Sequence, residues 1–198
     1  MTKYEGQDRY LDPATGVLRN RLGITDAGEL EQAEASLVAW RSYELSQQPM
    51  AGQFDLAHLQ AIHRHLFGDV YDWAGELRTI DLFKGASYFA NHRHLLRAAQ
   101  PLFKQLAQER HLHGLDATAF SHRAAYYLSE INALHPFREG NGRAQREFIH
   151  QLAQANGYFI NWTAIGQDDL MQASIEAFHQ GDTTKLAAMI QNHLELLY

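Results

Sequence analysis

Apolar residues recur along most of this chain at helical spacing. Thr25 reads as an N-cap, with Asp26 and Glu29 in the first turn, for a helix running to about Gln47 before Pro49. A second helix is predicted from about Asp55, with Leu56, Leu59, Ile62 and Leu66 along one side. Between Asp116 and Leu134 a broad stripe forms from Phe120, Ala124, Tyr127, Leu128, Ile131 and Leu134. It ends where Pro136 disfavours the α region in the residue before it. Another helix is expected from about Gly142 to Asn156, stopped by Asn156-Gly157. Two more are expected over Gln167–Gln180 and Thr183–Leu197, separated by Gly181 and with Asp182 as cap. One segment breaks the pattern. Leu77 to Phe83 roughly alternates, Lys84-Gly85-Ala86-Ser87 reads as a turn, and Tyr88-Phe89-Ala90 can return as a second strand. The expected architecture is mostly α, a helical bundle core with one small β-hairpin, in a single domain over residues 1–198.

Composition narrows the function classes. The chain has 45% hydrophobic and 20% charged residues, ordinary for a globular protein, and a net charge of −6. Direct nucleic-acid binding or attraction to an anionic membrane is therefore not expected. With no cysteine, disulfides, thiol catalysis and zinc–thiolate sites are excluded, and a reducing compartment fits. The start, Met1 to Gly6, lacks an apolar signal core, and no run approaches the ~18 apolar residues of a membrane span. The expected location is cytoplasmic.

Twelve histidines invite a metal reading, but the pairs His63/His65, His92/His94 and His111/His113 sit at i, i+2. On a helix that spacing turns the two rings away from each other, which leaves His92 and His94 least excluded, since they follow the hairpin. Trp40, Trp73 and Trp162 read as core anchors.

The chemistry concentrates in His135-Pro136-Phe137-Arg138-Glu139-Gly140-Asn141-Gly142-Arg143-Ala144-Gln145-Arg146. Glycines let backbone approach a phosphate, and a helix start offers free N–H donors and the positive end of the dipole. Arg143 and Arg146 share a helical face and can grip successive phosphates. Glu139 can hold Mg²⁺, which prefers carboxylate and phosphate oxygens. His135, with an ordinary pKa near ~6.5, can take a proton from an incoming hydroxyl.

These twelve residues resemble the Fic family signature, H-x-F-x-[D/E]-G-N-G-R-x-x-R, with every specified position filled. Asp72-Trp73-Ala74-Gly75-Glu76-Leu77-Arg78 is similar to the family's entry into its hairpin, so the resemblance spans about residues 55–162, with flanking helices at both ends. It implies a Fic fold with a β-hairpin flap over the active-site loop, and transfer of AMP from ATP to a protein Ser, Thr or Tyr hydroxyl. It makes His135 the base and Glu139 the Mg²⁺ ligand. Gly140, Asn141 and Gly142 become the α-phosphate anion hole, and Arg143 and Arg146 the partners of the outer phosphates. Phe137 and Arg138 complete the nucleotide segment, with Phe137 packing inward to fix the loop, and Lys84 and Gly85 touch the nucleotide from the flap. Ile80, Asp81, Leu82 and Phe83 would pair with an extended target segment.

Rival activities share the signature. Relatives with lysine at the second glycine transfer phosphate instead, and this chain has Gly142. Others use UTP or a CDP-alcohol, and a non-enzymatic binding module would keep the fold without the complete motif. Short members resemble bacterial toxins, some of which modify DNA gyrase or topoisomerase IV subunits. Many members carry an inhibitory helix, [S/T]-x-x-x-E-[G/N]. Here only Thr25 has a glutamate four positions on, Glu29, and Leu30 follows it, so the pair reads as a helix start. The resemblance then implies an inhibitory glutamate supplied in trans by a small antitoxin-like helical protein near Arg146.

Overall fold

Helix α1 (Ala27–Gln47) starts one residue later than expected, because Asp26 rather than Thr25 caps it, its carboxylate accepting the Glu29 N–H at 2.9 Å. The computed structural model describes residues 8–85 and 87–197; the polar start Met1 to Gly6 and Ala86 of the expected turn lie outside them. Helix α2 (Leu56–Phe67) begins where expected, with Asp55 as its cap, and buries Leu59, Ile62, His63, Leu66 and Phe67.

The hairpin is shorter than predicted. Strand β1 (Phe83–Lys84) pairs antiparallel with β2 (Ser87–Tyr88), Phe83 opposite Tyr88, around Gly85 at φ +61°. The preceding residues cannot extend the strand, since Arg78 gives its N–H to the Pro136 carbonyl (2.9 Å) and buries its side chain completely. Helix α3 (Leu95–Gln108) was not expected, because Pro101 sits inside it and reads as a breaker. It forms through burial of Leu95, Ala99, Leu102, Phe103 and Leu106 on one face, with Pro101 on the exposed side.

Helices α4 (Ala117–Leu134) and α5 (Asn141–Ala155) follow as predicted, joined by the signature loop. Two of the largest fully buried side chains, Phe120 and Phe148, lie on these two helices in the shared core. Burial of such a ring stabilises by roughly 1.5–3 kcal/mol. Beyond α5, strand β3 (Tyr158–Ile160) and helix α6 (Gln167–Gln180) lead to α7 (Thr184–Asn192), whose cap position is Thr183 rather than the expected Asp182; the Asp182 carboxylate accepts the Thr184 N–H at 2.9 Å from one residue before it. The last expected helix is cut short: Leu194–Leu196 forms β4, paired antiparallel with β3, Tyr158 opposite Leu196. Trp73 and Trp162 pack against the core, but Trp40 is 59% exposed beside Tyr43, correcting its reading as an anchor. Among the described residues no helix is long and apolar enough to cross a membrane.

Candidate active site

Helix α4 ends at His135, which adopts a left-handed conformation (φ 45°, ψ 59°) between its last turn and Pro136. Few non-glycine residues sit there, and they persist where the surroundings hold them. The clamp is Arg78. Its guanidinium donates to the carbonyls of His135 (2.7 Å), Leu134 (3.2 Å) and Ile80 (2.6 Å), and also to that of Ala90. The carbonyls of Leu134 and His135 are among those α4 leaves unpaired at its C-terminus, and a cation is favoured there. Burial pulls Arg78 down to about 10, which leaves it charged at neutral pH. The His135 ring stacks on Phe89 (3.8 Å, 17°). Burial, then the charge of Arg78, pull its pKa down to about 3 against the nearby Asn132 carbonyl, so the imidazole is neutral and can accept a proton.

The loop after it is braced from inside. Phe137 is fully buried and stacks on the His63 ring at 3.8 Å. His63 accepts the Gly75 N–H on Nδ1 (2.8 Å), so its Nε2–H donates to the Glu139 carbonyl (2.9 Å). Burial drops this ring to about 3 as well, consistent with the neutral tautomer those bonds require. Asn141 closes the loop on itself, accepting the Phe137 N–H (2.9 Å) and donating to the Phe137 carbonyl (2.8 Å). Gly140 sits at φ +76°, and a Cβ there would meet the Phe67 ring at 2.3 Å, so only glycine fits.

Two residues of the expected nucleotide segment turn away from the cavity. Phe137 faces the core. Arg138 is buried at 6% exposure and donates through Nε and Nη2 to Asp8 (3.0 and 2.8 Å), tying the N-terminal segment to the loop. The Asn141 side chain is likewise consumed by the loop, which leaves its backbone amide for an anion.

The remaining signature residues do converge. Gly140 offers no capping side chain to α5, so the first-turn amides of Asn141, Gly142 and Arg143 stay open at the positive end of the helix. The start of this helix borders a cavity of about 870 Å³ lined by Glu139, Gly140, Gly142, Arg143 and Arg146. The Glu139 carboxylate is at the surface and accepts the Gly140 N–H (3.0 Å). Arg146 is half-buried and has no ion pair or hydrogen bond among the described residues, and burial together with Arg143 lowers its pKa. A desolvated cation beside a second cation is an anion site by construction.

Arg143 is not free. Its Nη2 donates to Glu34 of α1 (2.5 Å), its guanidinium lies 4.7 Å over the Phe67 ring, and the other Glu34 oxygen accepts from the Tyr71 hydroxyl (2.5 Å). Glu34 is the acid that reaches the site, whereas Glu29 is exposed at the start of α1. Glu34, His63 and Arg78 all escaped the sequence reading. Only partners distant in sequence, 109 residues away in the case of Glu34 and Arg143, reveal them.

The flap expectations divide similarly. Lys84 borders the larger cavity with Arg143 and Arg146, but Gly85 lines a separate one beside Phe89 and His135. Of the four expected docking residues only Phe83 lies in a strand. Leu82 is buried, Asp81 accepts from the His92 N–H (2.8 Å) and contacts His92 Nδ1 (3.0 Å), and the Ile80 carbonyl is taken by Arg78.

Residues 53–153 match the sequence profile of the Fic/DOC family. The chain is 49% identical, over 98% of its length, to the protein adenylyltransferase VbhT of Bartonella schoenbuchensis, and spans 41% of that longer protein. It is 41% identical over 94% of its length to a Salmonella typhimurium protein named "Probable protein adenylyltransferase Fic", 92% of which is matched. Among solved structures, BepC of Bartonella tribocorum with bound AMPPNP superposes with a TM-score of 0.87 at 28% identity, over 96% of this chain and 97% of that one. A Bartonella quintana Fic domain with bound ADP gives 0.88 at 28% identity, over 95% of each.

Proposed function

The chain belongs to the Fic/DOC family, and from that premise we propose that it transfers AMP from ATP to a Ser, Thr or Tyr hydroxyl of another protein. One observation carries this reading: a neutral His135 stands at the lip of a cradle whose half-buried Arg146 has no partner among the described residues. Open amides of α5 would hold the α-phosphate, and Arg146 with Arg143 the outer phosphates. The acceptor oxygen attacks the α-phosphorus, its proton passes to the His135 imidazole, and the bond to the leaving pyrophosphate breaks on the opposite side. Holding these groups in line and neutralising charge supplies most of the acceleration in phosphoryl chemistry. The AMPPNP bound to BepC and the ADP bound to the B. quintana domain support an adenine nucleotide as the donor.

Glu139 fits a magnesium site: its carboxylate stands at the cavity mouth, and among the described residues no group of three or more His, Asp or Glu side chains converges there. Mg²⁺ of that kind is completed by water and substrate phosphate oxygens, and when bound it would neutralise charge on the leaving group.

The target is a protein, for which type II topoisomerase subunits are the candidates by analogy, and a cytoplasmic setting suits a chain without cysteine. The regulator is a small helical protein presenting a glutamate to Arg146. The groove between α1 and residues Trp162, Ile165 and Leu170 leads to that arginine and would accept such a helix. Incubation with α- or γ-labelled ATP and cell lysate tests the whole reading. AMP transfer puts α-label alone on protein. Transfer of γ-label alone would make the enzyme a kinase, and no transfer with ATP still bound would make it a binding module.

A further inference from the structure

Arg138 and Glu139 lie between helices α4 and α5, in residues 136–140 that belong to neither. Glu139 borders the larger cavity, while Arg138 turns away from it and is buried. Where Glu139 presents its carboxylate therefore depends on what holds its neighbours. On one side Phe137 stacks on His63, which also binds the Glu139 carbonyl. On the other side the holding group is Asp8. One oxygen of its carboxylate accepts from both Nε and Nη2 of Arg138, and the two side chains are only 3% and 6% exposed. Asp8 is itself fixed. Its second oxygen accepts the Tyr10 N–H (3.0 Å), and the buried Tyr10 ring packs edge-on against Trp73 at 5.4 Å. The Tyr10 hydroxyl accepts the Thr79 N–H (3.2 Å), one residue beyond the Arg78 clamp. The segment then folds back, with Arg19 giving its N–H to the Tyr10 carbonyl and Arg21 to that of Val70, both at 2.8 Å.

We infer that Asp8 is a positioning residue for the reaction: through Arg138, its buried charge sets where Glu139 stands relative to His135. The inference rests on the AMP-transfer reading. Removing one partner of a buried ion pair leaves the other charge uncompensated. Arg138 without Asp8 turns toward water, and the loop backbone moves with it. Glu139 is the next residue, so its carboxylate is displaced, and a misplacement of about 1 Å in a reacting group costs on the order of 10²-fold in rate. The rest of the site has separate supports. Arg78 holds the carbonyls of Leu134 and His135, and Glu34 holds Arg143. Loss of Asp8 therefore falls on the Glu139 end of the site, where magnesium would bind, and spares the arginine end that grips phosphate.

The test compares Asp8→Asn, which keeps the size and removes the charge, with the wild type in α-label transfer and in ATP calorimetry. The expected fall in the rate of transfer is about 10- to 100-fold. The Kd for ATP in chelator stays within twofold, because the arginines and the α5 amides keep their places. The tightening of ATP binding by added Mg²⁺ shrinks at least threefold, a readout that needs no transfer. Asp8→Glu, the milder variant if the first does not fold, keeps the charge and shows the same pattern reduced. Arg21→Ala controls for general loosening of the segment, since it removes the bond from Arg21 Nη1 to the Gly68 carbonyl (2.8 Å) and the contact with Asp72 (3.5 Å). It lowers the thermal midpoint but leaves the rate and the Mg²⁺ effect unchanged. A wild-type rate in both Asp8 variants, a Mg²⁺ effect on ATP binding equal to that of the wild type, or a rate loss that Arg21→Ala matches at equal loss of thermal midpoint overturns the role of Asp8 and leaves AMP transfer standing. No α-label on any protein from an ATP-binding wild type overturns AMP transfer, and the Mg²⁺ effect on ATP binding then still decides whether Asp8 positions Glu139.

Discussion

His135 owes its chemistry to its neighbours: the ring is held neutral by burial and by the charge of Arg78, and oriented by Phe89. His135→Ala should reduce AMP transfer at least ~100-fold, the usual minimum for a positioned base. ATP binding measured by calorimetry should be nearly unchanged, since other groups hold the phosphates; retention of more than about a tenth of the wild-type rate would remove the base role. Glu139→Ala should abolish transfer to the extent that excess chelator abolishes it in the wild type, and full wild-type activity in chelator would sink the magnesium assignment. Glu34 supports Arg143 from the other side. Glu34→Ala leaves a mostly buried tyrosine hydroxyl and a half-buried guanidinium unpartnered, so urea unfolding should show a loss of about 1–3 kcal/mol. The Kd for ATP should rise as Arg143 loses its orientation. Faster transfer in that variant would instead make Glu34 an intrachain brake, which is the behaviour that the Thr25–Glu29 pair lacks the position to show.

At the scale of elements, the site is the junction of α4 and α5, and Arg78 is what fixes it. A lysine cannot reach four carbonyls on two segments as the planar guanidinium does. Arg78→Lys should therefore lower both the thermal midpoint and the rate of AMP transfer, with the Kd for ATP changing less than the rate. Equal losses in rate and binding would mean that Arg78 supports the cradle rather than the base. The α4–loop–α5 segment was legible in the sequence because its signals are local: an apolar stripe, a proline stop and a contiguous string of glycines and arginines. The start of α2 near Asp55 was legible for the same reason. What escaped depends on distant partners. Helix α3 was hidden by Pro101, whose missing N–H is tolerated once five apolar residues find the core. The end of the chain misled because Leu186, Ile190, Leu194 and Leu197 continue a helical spacing, yet Leu194–Leu196 pairs with β3, which only tertiary proximity provides. His63 looks like any helix-face histidine until Phe137 and the Glu139 carbonyl are seen against it.

Across the whole molecule, the two neutral histidines that build the site also make its fold sensitive to mild acid. His63 and His135 are both drawn down to about 3 in the folded chain, whereas in the unfolded chain they would bind protons below ~6.5. The unfolded state therefore takes up more protons between those values, and stability falls as pH drops through that window. The slope approaches ~1.4 kcal/mol per pH unit for each ring, or about 2.7 for the pair. Burial lowers His58 and His150 too, which adds in the same direction. Glu147 works against them, because burial raises its pKa and acidification relieves the cost of its charge. Carboxylates held low, such as Asp69 by Arg41, lose their contribution only below ~4, so in the interval from pH 6 to 5 only Glu147 opposes the histidines. Urea unfolding at these two pH values should show a drop of about 2–3 kcal/mol. His63→Phe keeps the stacking between Phe67 and Phe137 but cannot titrate. It should remove about 1.4 kcal/mol per pH unit from the slope, whatever it does to stability at pH 7. An undiminished slope in that variant would show that the ring bracing the loop is not held neutral, and that the acid sensitivity lies elsewhere.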